Sequence, residues 1–305
     1  GVVVADTHHD AESLLRDADV AMYQAKTLGR GRNEFFDVSL RERMQRRLQL
    51  DQDLRDALRS GDGQLWPAYQ PLIDIATGRM VAVEALSRWT HPVHGQISPV
   101  EFIPLAEESG LIVPIGYWVL EEACRSAVQW PRRTTPLHVS VNLSARQLQE
   151  ADLVDRVREA LRGARLEPSR LVLEITESLI MLETRTIIPR LRALKTLGLR
   201  LAIDDFGTGY SSLSYLQNLP VDVLKIDQSF IRGRTTSGSK GLSPLARGIV
   251  DLGKAMHLVM VGEGIERLEE ADALRASGCE LGQGYYFSRP VPEKDFEKFL
   301  EAAAR

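Results

Sequence analysis

The sequence predicts an α/β fold: a TIM-like (β/α)8 barrel preceded by a short α/β fragment and a linker helix. Two observations carry this. From about residue 64 onward, short apolar segments alternate with longer helix-patterned ones, about eight such units in all. Within the apolar segments, a polar side chain recurs on one parity, near the C-terminal end. The 305 residues suffice for one large domain, or for one domain plus a fragment.

Composition narrows the classes. Hydrophobic content of 44% and charged content of 26% are ordinary for a packed globular chain. A net charge of −4 offers no basic footprint, so binding to long nucleic acid is not expected. No apolar run approaches the roughly 20 residues of a membrane helix, so no membrane segment is expected in this chain. Cys124 and Cys279 are far apart and form no C-x-x-C pattern, which suits core packing in a reducing compartment. The expected location is cytoplasmic, either free or as the cytoplasmic part of a membrane-linked sensor. The first residue is Gly, not Met, so the chain is expected to begin inside a longer protein.

The N-terminal segment reads as a short strand, "GVVVA", and then a helix over 10–29. Leu14, Leu15, Ala18, Ala21, Met22 and Ala25 recur there at helical spacing, and Gly29 stands where a C-cap belongs. About 35 residues cannot bury a core alone. Next, Leu40, Met44, Leu48, Asp51, Leu54 and Leu58 trace a narrow stripe among charges. The stripe predicts a connecting helix that ends near Gly61 and Gly63.

The strands expected beyond it are "MVAVEAL", "LHVSVNL", "LVLEIT", "LRLAIDD", "VDVLKID" and "LVMVGEG", with a last one near "GQGYYF". Helices are expected over 115–130, 146–162, 184–197 and 242–256. Alternate strand residues face opposite sides. In "LRLAIDD", Leu199, Leu201 and Ile203 oppose Ala202 and Asp204. In "LVLEIT", Leu171, Leu173 and Ile175 oppose Val172 and Glu174. In "LHVSVNL", Val139, Val141 and Leu143 oppose Ser140 and Asn142. In "MVAVEAL", Val81 and Val83 oppose Ala82 and Glu84. The bulky set would pack on helices and the smaller, polar set would face the barrel interior. Lys225 and Glu263 repeat that placement. Parallel barrels carry their sites at the C-terminal ends of the strands.

The rim so assembled holds Glu84, Asn142, Glu174, Asp204, Asp205, Lys225, Glu263 and Gln283. Crowded acids repel unless cations sit among them or protons are shared. Oxygen donors without Cys or His favour Mg²⁺ or Mn²⁺. Two such ions could activate water against a phosphodiester, with Lys225 holding the water or steadying phosphate charge. Taken singly, each of these residues has a structural explanation: an acid at a strand end is commonly a cap, and "GTG" at 207–209 reads as a turn. The two histidines of "HPVHG" are expected in a loop beside Pro92. The case rests on recurrence. Asp205 has the wrong parity for the interior. It reaches the site only if the strand ends there and the Gly207 and Gly209 loop turns the backbone.

These motifs resemble the EAL domain, the cyclic-di-GMP phosphodiesterase of bacterial signalling. The matching stretches are "AYQPLID", "VEALSRW", "ISPVEFIPLAEESGLI", "VSVNLS", "LEITES", "IDDFGTGYSSLSYL", "LKIDQSF", "GEGIE" and "GCELGQGYYFSRP". The stretch "LLRDADVAMYQAKTLGRGRNEFF" resembles the C-terminal tail of a GGDEF domain, without that domain's nucleotide-binding and metal-binding motifs. The implied organisation is a GGDEF remnant over 1–36, a linker helix over 37–60 and the EAL domain over 61–305.

The resemblance implies a metal set of Glu84, Asn142, Glu174, Asp204, Asp205 and Glu263 for two Mg²⁺ or Mn²⁺ ions. It implies catalytic roles for Glu84, Lys225, Glu263 and Asp205, and substrate contacts at Gln70, Leu86, Arg88, Asp227, Glu266 and Gln283. Glu177 would brace the loop of 206–216. The implied reaction converts cyclic-di-GMP to linear pGpG, in a homodimer formed through the EAL domain. Departures from the pattern are Gly262 in "VGEGIER", Gln228 in "KIDQSF" and a longer stretch at 232–243; none removes a candidate ligand. Two alternatives stand beside this reading: a receptor that binds cyclic-di-GMP without cutting it, and a two-carboxylate glycosidase.

Overall fold

A computed structural model describes residues 1–4, 10–27, 29, 31–130, 136–182, 184–208, 216–231 and 242–302. Eight strands close into a barrel: β1 (Leu65–Asp74), β2 (Met80–His91), β4 (His138–Asn142), β5 (Leu171–Thr176), β6 (Arg200–Phe206), β7 (Val223–Ile226), β8 (Val259–Gly262) and β9 (Leu281–Gly282). β1 pairs with both β2 and β9 and so closes the ring. Short β3 (Gly95–Ile97) and β10 (Val291–Pro292) flank it.

The barrel departs from eight repeated βα units. β1 lies over "LWPAYQPLID", outside the strands expected from sequence, and runs antiparallel to both neighbours. A five-residue connection, 75–79, links it to β2, with the Gly78 amide donating to Asp74 O at 2.8 Å. The remaining ring pairings are parallel. Proline at 67 and 71 obscured β1, because proline lowers the strand signal. The expected last strand is also shorter: only Leu281–Gly282 pairs, and 284–287 form a turn.

Helices α3 (Pro99–Ser109) and α4 (Ile112–Gln129) follow β3. The helix expected over 146–162 is two pieces, α5 (Ala145–Gln149) and α6 (Leu153–Ala164). α7 (Glu177–Leu182) and α8 (Thr184–Lys195) follow β5. Further helices span Pro244–Ala255, Leu268–Ser277 and Glu293–Ala302.

The two parities separate into two apolar groups. Val83, Val139, Val141, Leu173, Ile175, Leu201, Ile203 and Leu224 join the large core between barrel and helices. Leu72, Ala82, Val172, Ala202, Val223 and Val261 form a small plug inside the barrel. Val81 is the exception: it packs on the inner group, near the register shift where Ile73 pairs with Met80.

At the N-terminus, Val2 forms a single bridge with Phe35, and residues 5–9 lie outside the described set, so "GVVVA" forms no strand among the described residues. α1 (Ala11–Thr27) leads to α2 (Val38–Ser60). Asp37 caps α2, its carboxylate accepting from Leu40 N, and Gly61 closes it at φ 60°. Leu50 and Leu54, in the second half of α2, are fully buried in the barrel's core.

Candidate active site

Register sets the site. Glu84 lies opposite Ser140, Asn142 opposite Glu174, Thr176 opposite Asp204, and Lys225 opposite Val261. The inward polar residues therefore stand side by side at one end of the barrel, above the apolar plug.

Lys225 occupies their centre. Its Nζ lies 2.5 Å from Glu174 Oε2, 2.7 Å from Glu263 Oε1, 3.2 Å from Asp204 Oδ1 and 3.6 Å from Glu84 Oε2. Lys225 and Glu174 are each 1% exposed. Asn142 Nδ2 donates to Glu84 Oε1 at 2.7 Å. Gln283 Nε2 donates to Glu84 Oε2 at 2.6 Å and to Gln70 Oε1 at 3.1 Å. Gln70 in turn donates to Ser288 O at 3.1 Å.

One cation among this many carboxylates fixes the proton balance. Burial opposes charge on Lys225, but Asp204, Glu174, Glu263 and Glu84 overcome it and hold the ammonium well above its ordinary value. Burial pushes Glu174 up to about 8, against Lys225 and with help from Glu84 and Asp204. Burial likewise drives Glu263 well above the carboxylate range, again against Lys225. Asp205 is pushed up to about 6 by burial and by Asp204 and Asp227.

Asp205 joins the site by a different route from the one its sequence suggested. β6 does not end at Asp205; it runs on to Phe206. The pairing with β7 shifts register between Ile203 and Phe206, and Asp205 adopts φ 53°. This bulge, not the end of the strand, turns the second carboxylate. Asp204, Asp205 and Glu263 bring one carboxylate oxygen each to within 4.8 Å of one another. Gly209 lies outside the described residues. Gly207 N donates to Glu177 Oε2 at 2.7 Å, and a Cβ at Gly207 would meet the Phe230 ring at 2.8 Å.

A cleft of about 440 Å³ opens on the acids, lined by Gln70, Glu84, Leu86, Asp205, Asp227 and Glu263 among others. Glu266 and Gln283 line it too. Arg88 is set apart from these: it lines an apolar cavity of about 320 Å³ that shares Leu86 with the cleft and also reaches Asn142. Its Nη1 donates to Ser87 O at 2.8 Å, and burial lowers its guanidinium below the usual value. Gln228, Gly264 and Tyr285 also line the cleft and were not among the expected site residues. The sequence signal for Tyr285 was hidden because its stretch read as a strand.

The donor set suits hard divalent cations. Every ligand candidate is oxygen, the acids outnumber the one lysine, and the buried Oε1 of Gln283 has no hydrogen-bond partner.

The family model described as EAL domain matches residues 51–290. The Pseudomonas aeruginosa protein named cyclic di-GMP phosphodiesterase NbdA is 44% identical over 292 residues, which is 95% of this chain and 37% of that protein. From the same organism, the bifunctional diguanylate cyclase/cyclic di-GMP phosphodiesterase MucR is 45% identical over 287 residues, 94% of this chain and 41% of that protein. The chain thus spans about two-fifths of the length of these relatives. A solved structure, the PaMucR phosphodiesterase in complex with c-di-GMP, aligns with a TM-score of 0.76 at 44% identity, covering 81% of this chain and 99% of its own.

Proposed function

We infer the function from one premise: this chain belongs to the EAL domain family. It hydrolyses one phosphodiester of cyclic-di-GMP and releases linear pGpG. The observation that carries this reading is the ring of Glu84, Glu174, Asp204 and Glu263 around Lys225, with Asn142 and Gln283 bonded to its edge.

Glu84, Asn142, Glu174, Asp204, Asp205 and Glu263 are the residues that would hold two Mg²⁺ or Mn²⁺ ions. When bound, the ions supply Lewis acidity toward a phosphoryl oxygen and lower the pKa of water. The chain's own residues do the rest. Lys225 donates hydrogen bonds from a position fixed by burial, and so orients the attacking water and steadies charge on the phosphate. Glu263 and Asp205 stand on the open side of the ring, where a proton can be received. Gln70, Leu86, Asp227, Glu266 and Gln283 line the cleft that receives the nucleotide, and Arg88 lines the neighbouring cavity, which shares Leu86 with it. Glu177 holds the backbone just after Asp205 and ties the following loop to the site.

Residues 1–36 are read as the tail of a GGDEF domain, residues 37–60 as the linker helix and 61–305 as the EAL domain, with a homodimer formed through the barrel in the cytoplasm. The bifunctional name of the MucR relative supports the first assignment.

The test is incubation with cyclic-di-GMP and Mg²⁺ or Mn²⁺, with products separated by chromatography. pGpG is expected, and Glu84→Ala should abolish it. Undiminished hydrolysis in excess chelator overturns the metal mechanism. Tight binding without product over hours decides for the receptor alternative.

A further inference from the structure

A further cavity, of about 960 Å³, is larger than the acidic cleft of about 440 Å³. It opens at the opposite end of the barrel. Leu137 lines it just before β4, Arg170 just before β5, and Thr196 and Leu197 just before β6. The rest of its wall comes mainly from the C-terminal ends of α4 and α6. Asn142, Glu174 and Asp204 stand toward the other ends of the same three strands. The length of those strands therefore separates the cavity from the ring of acids.

Its floor is apolar. Trp130, Leu137, Leu161 and Leu166 line it, and none is more than 5% exposed. Around the floor stand four arginines, Arg158, Arg162, Arg165 and Arg170, and one acid, Glu167. Two of the four are committed elsewhere. Arg158 pairs with Asp155, and Arg170 donates to Ala127 O at 2.7 Å and to Leu137 O at 3.0 Å. The guanidinium groups of Arg162 and Arg165 have no ion pair or hydrogen bond among the described residues. Trp130 adds a second unmet group. Its ring is held edge-on by Tyr69 and Phe296, and its buried Nε1–H has no hydrogen-bond partner among the described residues.

A basic residue in the last turn of a helix commonly serves the helix dipole, and the N-terminal face of such a barrel commonly serves stability. Arg162 lies in the last turn of α6 and Arg165 caps it. Neither role calls for an apolar hollow beneath them. Nor does either explain four cations against one acid at this spot, in a chain whose net charge is −4.

We propose that this cavity is a second ligand site, for a small amphipathic anion with an alkyl body and a carboxylate or phosphate head. The body covers the leucine floor, which favours apolar surface in proportion to its area. The head pairs with Arg162 and Arg165, whose planar forks match either oxyanion. It also brings the acceptor that the Trp130 N–H lacks. Concavity and volume are those of a small-molecule site rather than of a flat protein interface. Neither the acids nor a metal take part, so the site stands or falls separately from the cyclic-di-GMP reading.

The test is calorimetric titration of the chain, in chelator, with octanoate and with octyl phosphate. Octanol supplies the same body without charge, and inorganic phosphate a head without a body. At least one of the two anions should bind saturably at about one per chain, and which one binds identifies the head. Octanol and phosphate should each bind about 10-fold more weakly or worse, the scale of one lost charge-assisted contact. The paired change Arg162→Gln with Arg165→Gln should weaken the anion about 10-fold or more on the same scale. Val128→Glu, at a cavity residue 42% exposed, should do likewise by setting an acid in the wall. Folding of each is checked by its melting temperature. Glu84→Ala, at the far rim, should bind as the parent does. Failure of both anions to bind overturns the proposal, as does octanol binding as tightly as they do. Parental affinity in the arginine variant overturns it too. Should that variant not fold, parental affinity in Val128→Glu does so. Loss of binding in Glu84→Ala places the ligand in the acidic cleft and overturns the second site. Capture by vesicles of anionic lipid with no free anion bound assigns this face to a membrane and overturns it as well.

Discussion

The Asp205 amide donates to the Asp204 carboxylate at 3.0 Å, and Asp205 itself sits at φ 53°. Two adjacent acids thereby serve one site although strand geometry would point them apart. The left-handed conformation costs most residues about 1–2 kcal/mol, while Asn adopts it readily. Asp205→Asn should therefore keep the parent's thermal stability and weaken Mn²⁺ binding. Asp205→Val should lose both, because a β-branched residue is strained there. Calorimetric Mn²⁺ titration with a melting curve separates the two effects. Equal stability of the valine and asparagine variants would count against the bulge as the orienting device.

Lys225 is the counter-charge of the buried acids. Lys225→Met removes it and keeps the volume. Breaking a buried ionic cluster typically costs about 3–5 kcal/mol. Urea unfolding in chelator should show a loss of that order, and Mn²⁺ should restore part of it. An unchanged midpoint in chelator would show that the ammonium is not what holds the acids together.

Glu177 is 4% exposed, and its Oε2 receives the Gly207 amide at 2.7 Å. Leaving such an amide unsatisfied costs about 1–3 kcal/mol. Glu177→Ala should lower turnover more than tenfold while the protein remains folded. Glu177→Gln, which keeps an acceptor oxygen, should retain the stability. Full turnover in the alanine variant would remove the coupling role.

His138 is held neutral in the fold: burial lowers its pKa first, Arg200 lowers it further, and a contact with Val81 O partly opposes them. The unfolded chain binds the proton more readily. Its contribution to stability is thus present above about 6.5, the unfolded value, and is lost as pH falls through the depressed folded value. His138→Gln should flatten the acid side of the stability curve, measured by urea unfolding from pH 7 to pH 5. A parallel curve for parent and variant would refute the assignment.

Much of this was legible in the chain. Parity along "LVLEIT", "LHVSVNL" and "LRLAIDD" separated the residues that pack on helices from those that fill the barrel, because alternation follows from the pleat of a strand and needs no partner. The same rule placed Glu174, Asp204, Lys225 and Glu263 at one end. Gln70 was legible only through family resemblance, since its strand carries two prolines and shows no clean alternation.

The sequence by itself determined the barrel, its inward and outward faces and the crowd of oxygen donors at one rim, since each follows from local periodicity and residue chemistry. Tertiary structure alone decided the reversed first strand that lays Gln70 opposite Glu84, the bulge that turns Asp205, and the central place of Lys225. Those depend on register between strands far apart in the chain, and register is fixed by packing across the whole ring rather than by any one segment.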